Sequence, residues 1–211
     1  MRPFVLISAL AFALSSAHLA AQAPAPLTNP VQVKMGRTIV SEQPTPQFSG
    51  GVKEKRWRPK NWIEVDVEFD IKLPADAGGN KGSYGSLQVN VYLATQHVTK
   101  DNKRAVFKGS FDVTSIPAGE PCHVLAYVSP ANLRAIFQKD NVTASTDIQG
   151  WGVEILAEGQ RIAGDSSLGK GAWWETGKDA FVIMENMLVH KSKTPFGILW
   201  GDYDLPVKTG P

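Results

Sequence analysis

Four carboxylates occupy every second position of the stretch Trp62–Leu73, WIEVDVEFDIKL: Glu64, Asp66, Glu68 and Asp70. Because strand side chains alternate between two faces, all four lie on one face, spaced about 6.6–7 Å apart. Calcium needs six to eight oxygens converging at about 2.3–2.6 Å, and a straight column cannot supply them without loop carbonyls. We therefore interpret the column as a solvated strand face whose carboxylates pair with lysines across the sheet.

Nucleophilic catalysis has one candidate, Gly164-Asp165-Ser166, which His97 and Asp112 precede in the chain. The tripeptide is similar to that of serine hydrolases, but Ser167-Leu168 follow it in place of the two glycines that shape the oxyanion hole. An Asp-Ser pair in a glycine-rich loop is an ordinary turn. The sequence therefore favours a protein that is not an enzyme.

Metal and thiol chemistry have equally little support. The histidines beyond the N-terminal segment, His97, His123 and His190, lie far apart and lack the local spacing of zinc ligands. Asp202-Tyr203-Asp204 is also too short a cluster to predict a metal site. Cys122, the only cysteine, is interpreted as a small buried apolar residue, since His123 would point to the opposite strand face. We expect no metal and no cofactor.

The tryptophans are the main candidates for a binding surface. They are Trp57, Trp62, Trp151, Trp173, Trp174 and Trp200. Adjacent Trp173 and Trp174 on an extended segment would face opposite ways, one into the core and one outward. Trp57, Trp173 and Trp174 are the predicted binding residues, because an exposed indole can stack on a sugar ring or anchor a protein partner. Packing within the core is the alternative.

The stretch Trp62–Leu73 also organises the fold. Its apolar residues, Ile63, Val65, Val67, Phe69, Ile71 and Leu73, alternate with the polar row and predict a half-buried strand. A slip of one residue would turn the whole apolar row outward, so the register is strongly specified.

Further strands and turns follow at intervals of about 8–12 residues. Predicted strands are Val31–Val40 broken near Gly36, Leu87–Leu93, Val106–Ile116, Cys122–Val128 in a sheet interior, Ile148–Ala157 with a hairpin return at Arg161–Ala163, and Ala180–Met187 as a strand or helix end. Gly164–Gly171 is a predicted loop, and a final hairpin joins Leu188–His190 to Phe196–Trp200. Ser129-Pro130 predicts the start of the only helix, Ala131–Lys139, with Leu133, Ile136 and Phe137 on its buried side.

This pattern predicts an all-β fold: an antiparallel immunoglobulin-like sandwich with one short helix, or alternatively a jelly roll. Residues 1–21 are interpreted as a cleaved signal peptide, because the apolar run Phe4–Leu14 is too short to span a bilayer. Residues 22–30 form an extended lead-in and residues 31–211 a single domain. No later stretch is apolar for long enough to cross a membrane. We expect export to the periplasm, the outer membrane or the cell surface.

Charge narrows the class of partner. The net charge is only +2, which disfavours nucleic acid. The basic stretch 53–60, KEKRWRPK, is interpreted as a solvated loop that offsets the acidic strand face, with an anion-binding patch as the alternative.

The mature chain resembles a small exported protein encoded in the type IV pilus gene cluster of verrucomicrobial mucin degraders. The resemblance rests on the signal, on NWIEVDVEFDIKL (Asn61–Leu73) with its basic lead-in, and on LAYVSPANLRAIF (Leu125–Phe137). It implies an immunoglobulin-like fold related to archaeal pilus or archaellum components, and a non-enzymatic role in pilus assembly or adhesion through protein contacts. One departure is that pilins retain a hydrophobic N-terminal helix, whereas this chain has a short, cleavable-looking signal. A carbohydrate-binding module that uses exposed tryptophans is the alternative.

Overall fold

The computed structural model describes residues 31–48, 55–169, 171–177 and 179–208. The strands are β1 (Gln32–Pro44), β2 (Asn61–Lys72), β3 (Ser83–Val98), β4 (Arg104–Pro117), β5 (Cys122–Val128), β6 (Ile148–Ala157), β7 (Gln160–Ser166), β8 (Phe181–Met184) and β9 (Val189–His190). The helices are α1 (Pro130–Phe137), α2 (Ala144–Asp147) and α3 (Trp173–Thr176), with single 3-10 turns at Ala75–Ala77, Gly79–Lys81 and Lys191–Lys193. The predicted signal peptide 1–21, the lead-in 22–30 and the Gly50-Gly51 part of the following loop lie outside the described residues.

Two sheets pack as a sandwich around one main core. The strand order is β1-β2-β5-β9 in the four-stranded sheet and β7-β6-β3-β4-β8 in the five-stranded sheet. The predicted all-β sandwich is confirmed, while its immunoglobulin-like topology stays an expectation from the resemblance. No helix of the described residues is long and apolar enough to cross a membrane.

Strand β2 forms the centre of the four-stranded sheet, as its alternation predicts. Its inward side chains, Ile63, Val65, Val67, Phe69 and Ile71, are fully buried. At about 1.5–3 kcal/mol for each large apolar side chain, their burial contributes a gross stabilisation of about 8–15 kcal/mol. The break predicted near Gly36 is instead a bulge between Met35 and Thr38, through which β1 continues to Pro44. A Cβ at Gly36 would lie 2.9 Å from the Glu68 side chain, so the absent side chain leaves room for that carboxylate.

Helix α1 begins as predicted, because the Ser129 hydroxyl accepts a hydrogen bond from the Asn132 backbone at 3.1 Å. Leu133 is buried, and Ile136 and Phe137 pack against the core. The prediction of a single helix is wrong, since α2 and α3 are also present among the described residues.

The hairpin of β6 and β7 is confirmed, with Glu158 and Gly159 in the left-handed conformation that such tight turns require. Strand β7 continues to Ser166, so the predicted loop Gly164–Gly171 is shorter than expected. Gly164, Asp165 and Ser166 each pair with a residue of β6, and this pairing cannot be predicted from the local sequence alone.

The C-terminal part of the chain covers the edges of β4 and β5. Strand β8 pairs with β4 in parallel, which corrects the purely antiparallel prediction. Strand β9 pairs with β5 at Ala126 and Tyr127. The hairpin predicted between Leu188–His190 and Phe196–Trp200 is therefore wrong. Val189 and His190 pair with β5, whereas Gly197 and Leu199 donate their backbone N–H groups to Thr194 and Phe196 in local turns. Strands β1 and β7 remain edge strands in the described part of the chain.

Candidate functional site

The outer face of the four-stranded sheet carries the acidic row of β2. Register partners in an antiparallel pair share a face, so Glu64 lies between Ser41 of β1 and Tyr127 of β5. Asp66 lies between Ile39 and Leu125 in the same way. This face is therefore a mixture of carboxylates, hydroxyls and large apolar side chains.

Residues 196–204, the C-terminal cover, lie over the β5 half of this face. The Phe196 ring stacks on Tyr127 with ring centroids 4.6 Å apart, and the Tyr203 ring stacks on His123 at 4.2 Å. Lys191, only 3% exposed, anchors the cover. Its ammonium donates to the carbonyl oxygens of Leu199 at 2.6 Å and Trp200 at 2.8 Å, and it also pairs with the Asp204 carboxylate.

Because of this cover, the acidic row is not the solvated face that the sequence predicts. Glu64 is 8% exposed and accepts hydrogen bonds from the Tyr127 hydroxyl and, at 3.2 Å, from the Gln43 amide. Asp66 accepts from the Tyr203 hydroxyl at 2.6 Å and lies 2.9 Å from His123 Nδ1.

These contacts change the chemistry of the two phenols. Burial, followed by the hydrogen bond to Glu64, raises the pKa of Tyr127 well above its usual value. Burial and the hydrogen bond to Asp66 likewise raise the pKa of Tyr203. Both phenols therefore stay protonated as donors to the carboxylates.

The expected pairing of the row with lysines is also wrong. Within the described ranges, no lysine or arginine forms a salt bridge with Glu64, Asp66, Glu68 or Asp70. Lys34 stands opposite Asp70 in the β1–β2 register but forms no salt bridge with it. The contact of the row with an ionisable nitrogen is instead that of Asp66 with His123 Nδ1.

A cavity of about 260 Å³ opens between β1, β2 and the C-terminal cover. Its lining residues, which define the acidic trough, are Gln43, Glu64, Asp66, Leu125, Trp200 and Tyr203. Trp200 is 51% exposed and Tyr203 44% exposed, so two aromatic rings border the carboxylates. The trough can present hydrogen-bond acceptors and aromatic faces to a cationic or hydroxyl-bearing group.

A larger groove of about 870 Å³, the tryptophan groove, adjoins the start of β2. It is lined by Thr45, Trp57, Lys60, Trp62, Ser129, Pro130, Ala131, Arg134, Ala135 and Gln138. Trp57 is 53% exposed. Trp62 stands on the same strand face as Glu64, and its indole N–H donates to the Thr45 hydroxyl at 3.1 Å. Of the predicted binding residues, Trp57 is the one that the structure places at an open surface.

Trp173 and Trp174 lie on the outer face of the other sheet and do not meet Trp57. They form α3 rather than an extended segment, so that prediction is wrong. Trp174 is 5% exposed and stacks on Tyr92 with centroids 4.6 Å apart. Trp173 is half-buried and packs edge-on against Trp174 and against Phe181. Their packing holds α3 on the five-stranded sheet, where the largely buried Trp174 also lines a cavity of about 640 Å³ beside β7.

The residues considered for catalysis are not assembled. The Ser166 hydroxyl donates to the Gly169 carbonyl at 2.8 Å, and the His97 ring packs against Phe137. His190 is buried, and its Nδ1 accepts from the Ser192 backbone at 3.2 Å as a cap of the following 3-10 turn. Within the described ranges, no three side chains among His, Cys, Asp and Glu are grouped to hold a metal ion.

Trp200 and Tyr203 are the site residues that sequence reasoning missed. Tyr203 bonds to a carboxylate 137 positions away, so no local pattern could associate the two. The abundance of tryptophan and the motif Asp202-Tyr203-Asp204 were the available signals, and neither indicates a partner in β2.

Comparisons with known proteins identify relatives of the whole domain. A family model matches residues 25–210. A crystal structure of a protein from Akkermansia muciniphila is similar, with a TM-score of 0.72 and 21% sequence identity over 86% of this chain and 94% of that chain. At this identity the likeness shows a common fold. No curated protein matches the sequence.

Proposed function

The chain belongs to the family whose model matches residues 25–210, and we propose that it is an exported, non-enzymatic interaction protein. Its proposed place is the cell envelope, in the periplasm, at the outer membrane or on the surface, where it contributes to assembly of a pilus or another envelope structure. The N-terminal signal pattern supports export. The resemblance to the verrucomicrobial pilus-cluster protein supports the pilus role, and the solved relative is from a verrucomicrobium.

The observation that carries this proposal is the concentration of exposed apolar side chains beside one sheet face. Ile39, Trp57, Ile198, Trp200 and Tyr203 lie on or next to the outer face of the four-stranded sheet, with exposures of 44–75%. Single exposed apolar residues are normal on a protein surface, but a group of them marks an interaction site. Aromatic residues contribute most of the binding energy in such sites.

The acidic trough and the tryptophan groove give this surface its shape. Both are concave, and both place an exposed indole beside polar side chains. A protein partner can insert apolar side chains into the groove while the rim remains polar, as in known interfaces. Strands β1 and β7, which are edge strands in the described part of the chain, offer a second mode of contact, the addition of a strand.

The test is proximity cross-linking of the full chain in intact cells, followed by pull-down and mass spectrometry. We expect recovery of pilus or envelope-assembly proteins. Trp57→Ala and Trp200→Ala should each reduce that recovery, since loss of a central aromatic residue costs about 2–4 kcal/mol. Val98→Ala, which truncates a side chain that is 47% exposed on the other sheet, is the matched control.

Unchanged recovery with both tryptophan variants would show that this surface is not the interface. Recovery of no envelope protein at all would overturn the assembly role. Cell fractionation and N-terminal sequencing of the mature chain test export separately, and an uncut chain in the cytoplasm would contradict it.

Carbohydrate binding is the second candidate, supported by Trp200 and Tyr203 beside Gln43 and Asp66. Indole faces stack on sugar rings, and amide and carboxylate groups bind hydroxyls. Titration with glycans should then shift tryptophan fluorescence, and Trp200→Ala should abolish the shift. An unchanged spectrum with mucin-type glycans would exclude this reading.

A further inference from the structure

A short basic segment, residues 55–60, leads into β2 and has no counter-charge in the described part of the chain. Lys55, Arg56, Arg58 and Lys60 are all exposed. No salt bridge joins any of them to a carboxylate within the described residues. Trp57, which is also exposed, lies in their midst. The segment therefore presents four cations and an indole to the surroundings.

The acidic row offers the complementary set. Among the described residues, none of its four carboxylates forms a salt bridge with a lysine or an arginine, although Asp66 lies 2.9 Å from His123 Nδ1. Two exposed aromatic rings border the row at Trp200 and Tyr203. Glu64, Asp66 and Glu68 each help to raise the pKa of Tyr203, which reports the negative field at this position. Guanidinium and ammonium groups beside an indole or phenol face gain a cation–π attraction in addition to charge pairing.

Within the described part of one chain, no salt bridge joins the two sets. Lys60 precedes Glu64 by four residues, and at about 3.3 Å per residue the extended backbone separates them by about 13 Å. The other cations precede Lys60 and lead away from the row along the chain. Opposite charges that stay apart within a molecule are available for contact between molecules.

We propose that the acidic row and trough of one copy receive the basic segment of a second copy of this chain. This inference rests on the proposed interaction function and names one partner and the groups that bind it. Because both surfaces adjoin the same sheet face, a two-fold pair lets each copy give its basic segment to the other. Arg56 and Arg58 pair with the carboxylates, and Trp57 packs among the exposed rings of the partner.

Complementary charge reversal tests this pairing, with self-association measured by analytical ultracentrifugation of the purified mature chain. Arg56→Glu with Arg58→Glu should weaken self-association about tenfold or more, as should Glu68→Lys with Asp70→Lys. These changes leave the hydrogen-bonded Glu64 and Asp66 in place. An equimolar mixture of the two variants should associate like the wild type, because each then meets an opposite charge.

The controls separate charge pairing from general effects. Lys81→Glu with Lys100→Glu makes the same change of net charge at exposed positions outside both surfaces and should leave association unchanged. Association of the wild type should weaken as salt is raised to about 0.5 M, where screening acts within about 4 Å. Circular dichroism should show that each variant is folded.

A wild type that stays monomeric at every concentration would overturn the proposal, as would a dimer that ignores both salt and Arg56→Glu with Arg58→Glu. Failure of the mixture to associate would also overturn it if both variants are folded. None of these results removes the proposed function, which the cross-linking of Trp57→Ala and Trp200→Ala decides independently. Finding a glycan or an unrelated basic protein bound in the trough, in place of a second copy of this chain, would also overturn the proposal.

Discussion

Gly152 of β6 is the position where one added methyl group should detach a helix. A Cβ there would lie 2.2 Å from Cζ3 and 2.6 Å from Cε3 of Trp174, whereas ordinary contacts begin at 3.4 Å. The ring has little freedom to move aside, because Trp174 is 5% exposed and stacks on Tyr92, the register partner of Gly152. Gly152→Ala must therefore lift α3 from the five-stranded sheet.

The size of the effect follows from what α3 covers. Trp174 packs in a small cluster with Tyr92, Ala94 and Val106. Complete loss of a buried tryptophan costs about 3–5 kcal/mol. Replacing glycine by alanine also lowers the conformational entropy of the unfolded chain, which stabilises the folded state by about 0.4–1 kcal/mol. We expect a net loss of about 2–4.6 kcal/mol, and a fall in Tm of about 4–18 °C at 2–4 °C per kcal/mol.

Urea unfolding monitored by circular dichroism measures this loss, and Gly85→Ala is the matched control. Gly85 also lies in a strand, but a Cβ there meets nothing within 4 Å, so its variant should be as stable as the wild type or slightly more stable. In a Trp174→Ala background, Gly152→Ala should cost nothing, because the clashing ring is absent. Equal costs of Gly152→Ala in both backgrounds would refute the steric reasoning.

Two further predictions concern buried ionisable groups. Burial, followed by a hydrogen bond to Glu154, raises the pKa of Tyr92 above the usual 10.0, and burial with a hydrogen bond to Glu64 does the same for Tyr127. The stability that the two protonated phenols contribute is therefore complete below about pH 10 and is lost as the pH rises further. The free energy of unfolding in urea should fall above that pH by about 1.4 kcal/mol per pH unit for each tyrosine. Tyr127→Phe should reduce this slope, and equal slopes in the two proteins would contradict the assignment. Burial also raises the pKa of Cys122 to about 11, so a disulfide reagent at neutral pH should modify this thiol only as fast as the protein unfolds, and rapid labelling of the native protein would show the thiol to be accessible.

The sequence predicts best where a single segment determines its own structure. Ile63 to Ile71 alternate strictly with polar residues, so the strand and its two faces follow from the pattern alone, whereas the pattern does not name the residues opposite them. Ser129 and Pro130 specify the start of α1 in the same local way. Cys122–Val128 is apolar on both faces, and β5 is accordingly an inner strand.

Prediction fails where a distant residue decides. Trp173 and Trp174 form a helix because the Trp174 ring packs on the flat surface over Gly152. The residues next to Trp174 in the sequence do not indicate this contact. The acidic row has the alternation of a solvated face, and it is the C-terminal cover that makes it half-buried. The candidate site was accessible to sequence reasoning at Trp57 alone, because the trough needs Tyr203 to meet Asp66 across the fold.

The covered edges of β4 and β5 also affect the order in which the protein can fold during its synthesis. The backbone N–H of Leu205 donates to the His123 carbonyl at 2.9 Å, and that of Lys208 donates to the Asp112 carbonyl at 2.8 Å. Residues 205–208 thus latch one strand from each sheet, yet they are synthesised long after both, because translation proceeds from the N-terminus. Until residues 205–208 are synthesised, these backbone groups of β4 and β5 have no partner from that segment, and another strand could pair with them instead. For the export proposed above, the same delay means that residues 1–21 are synthesised before these contacts can form.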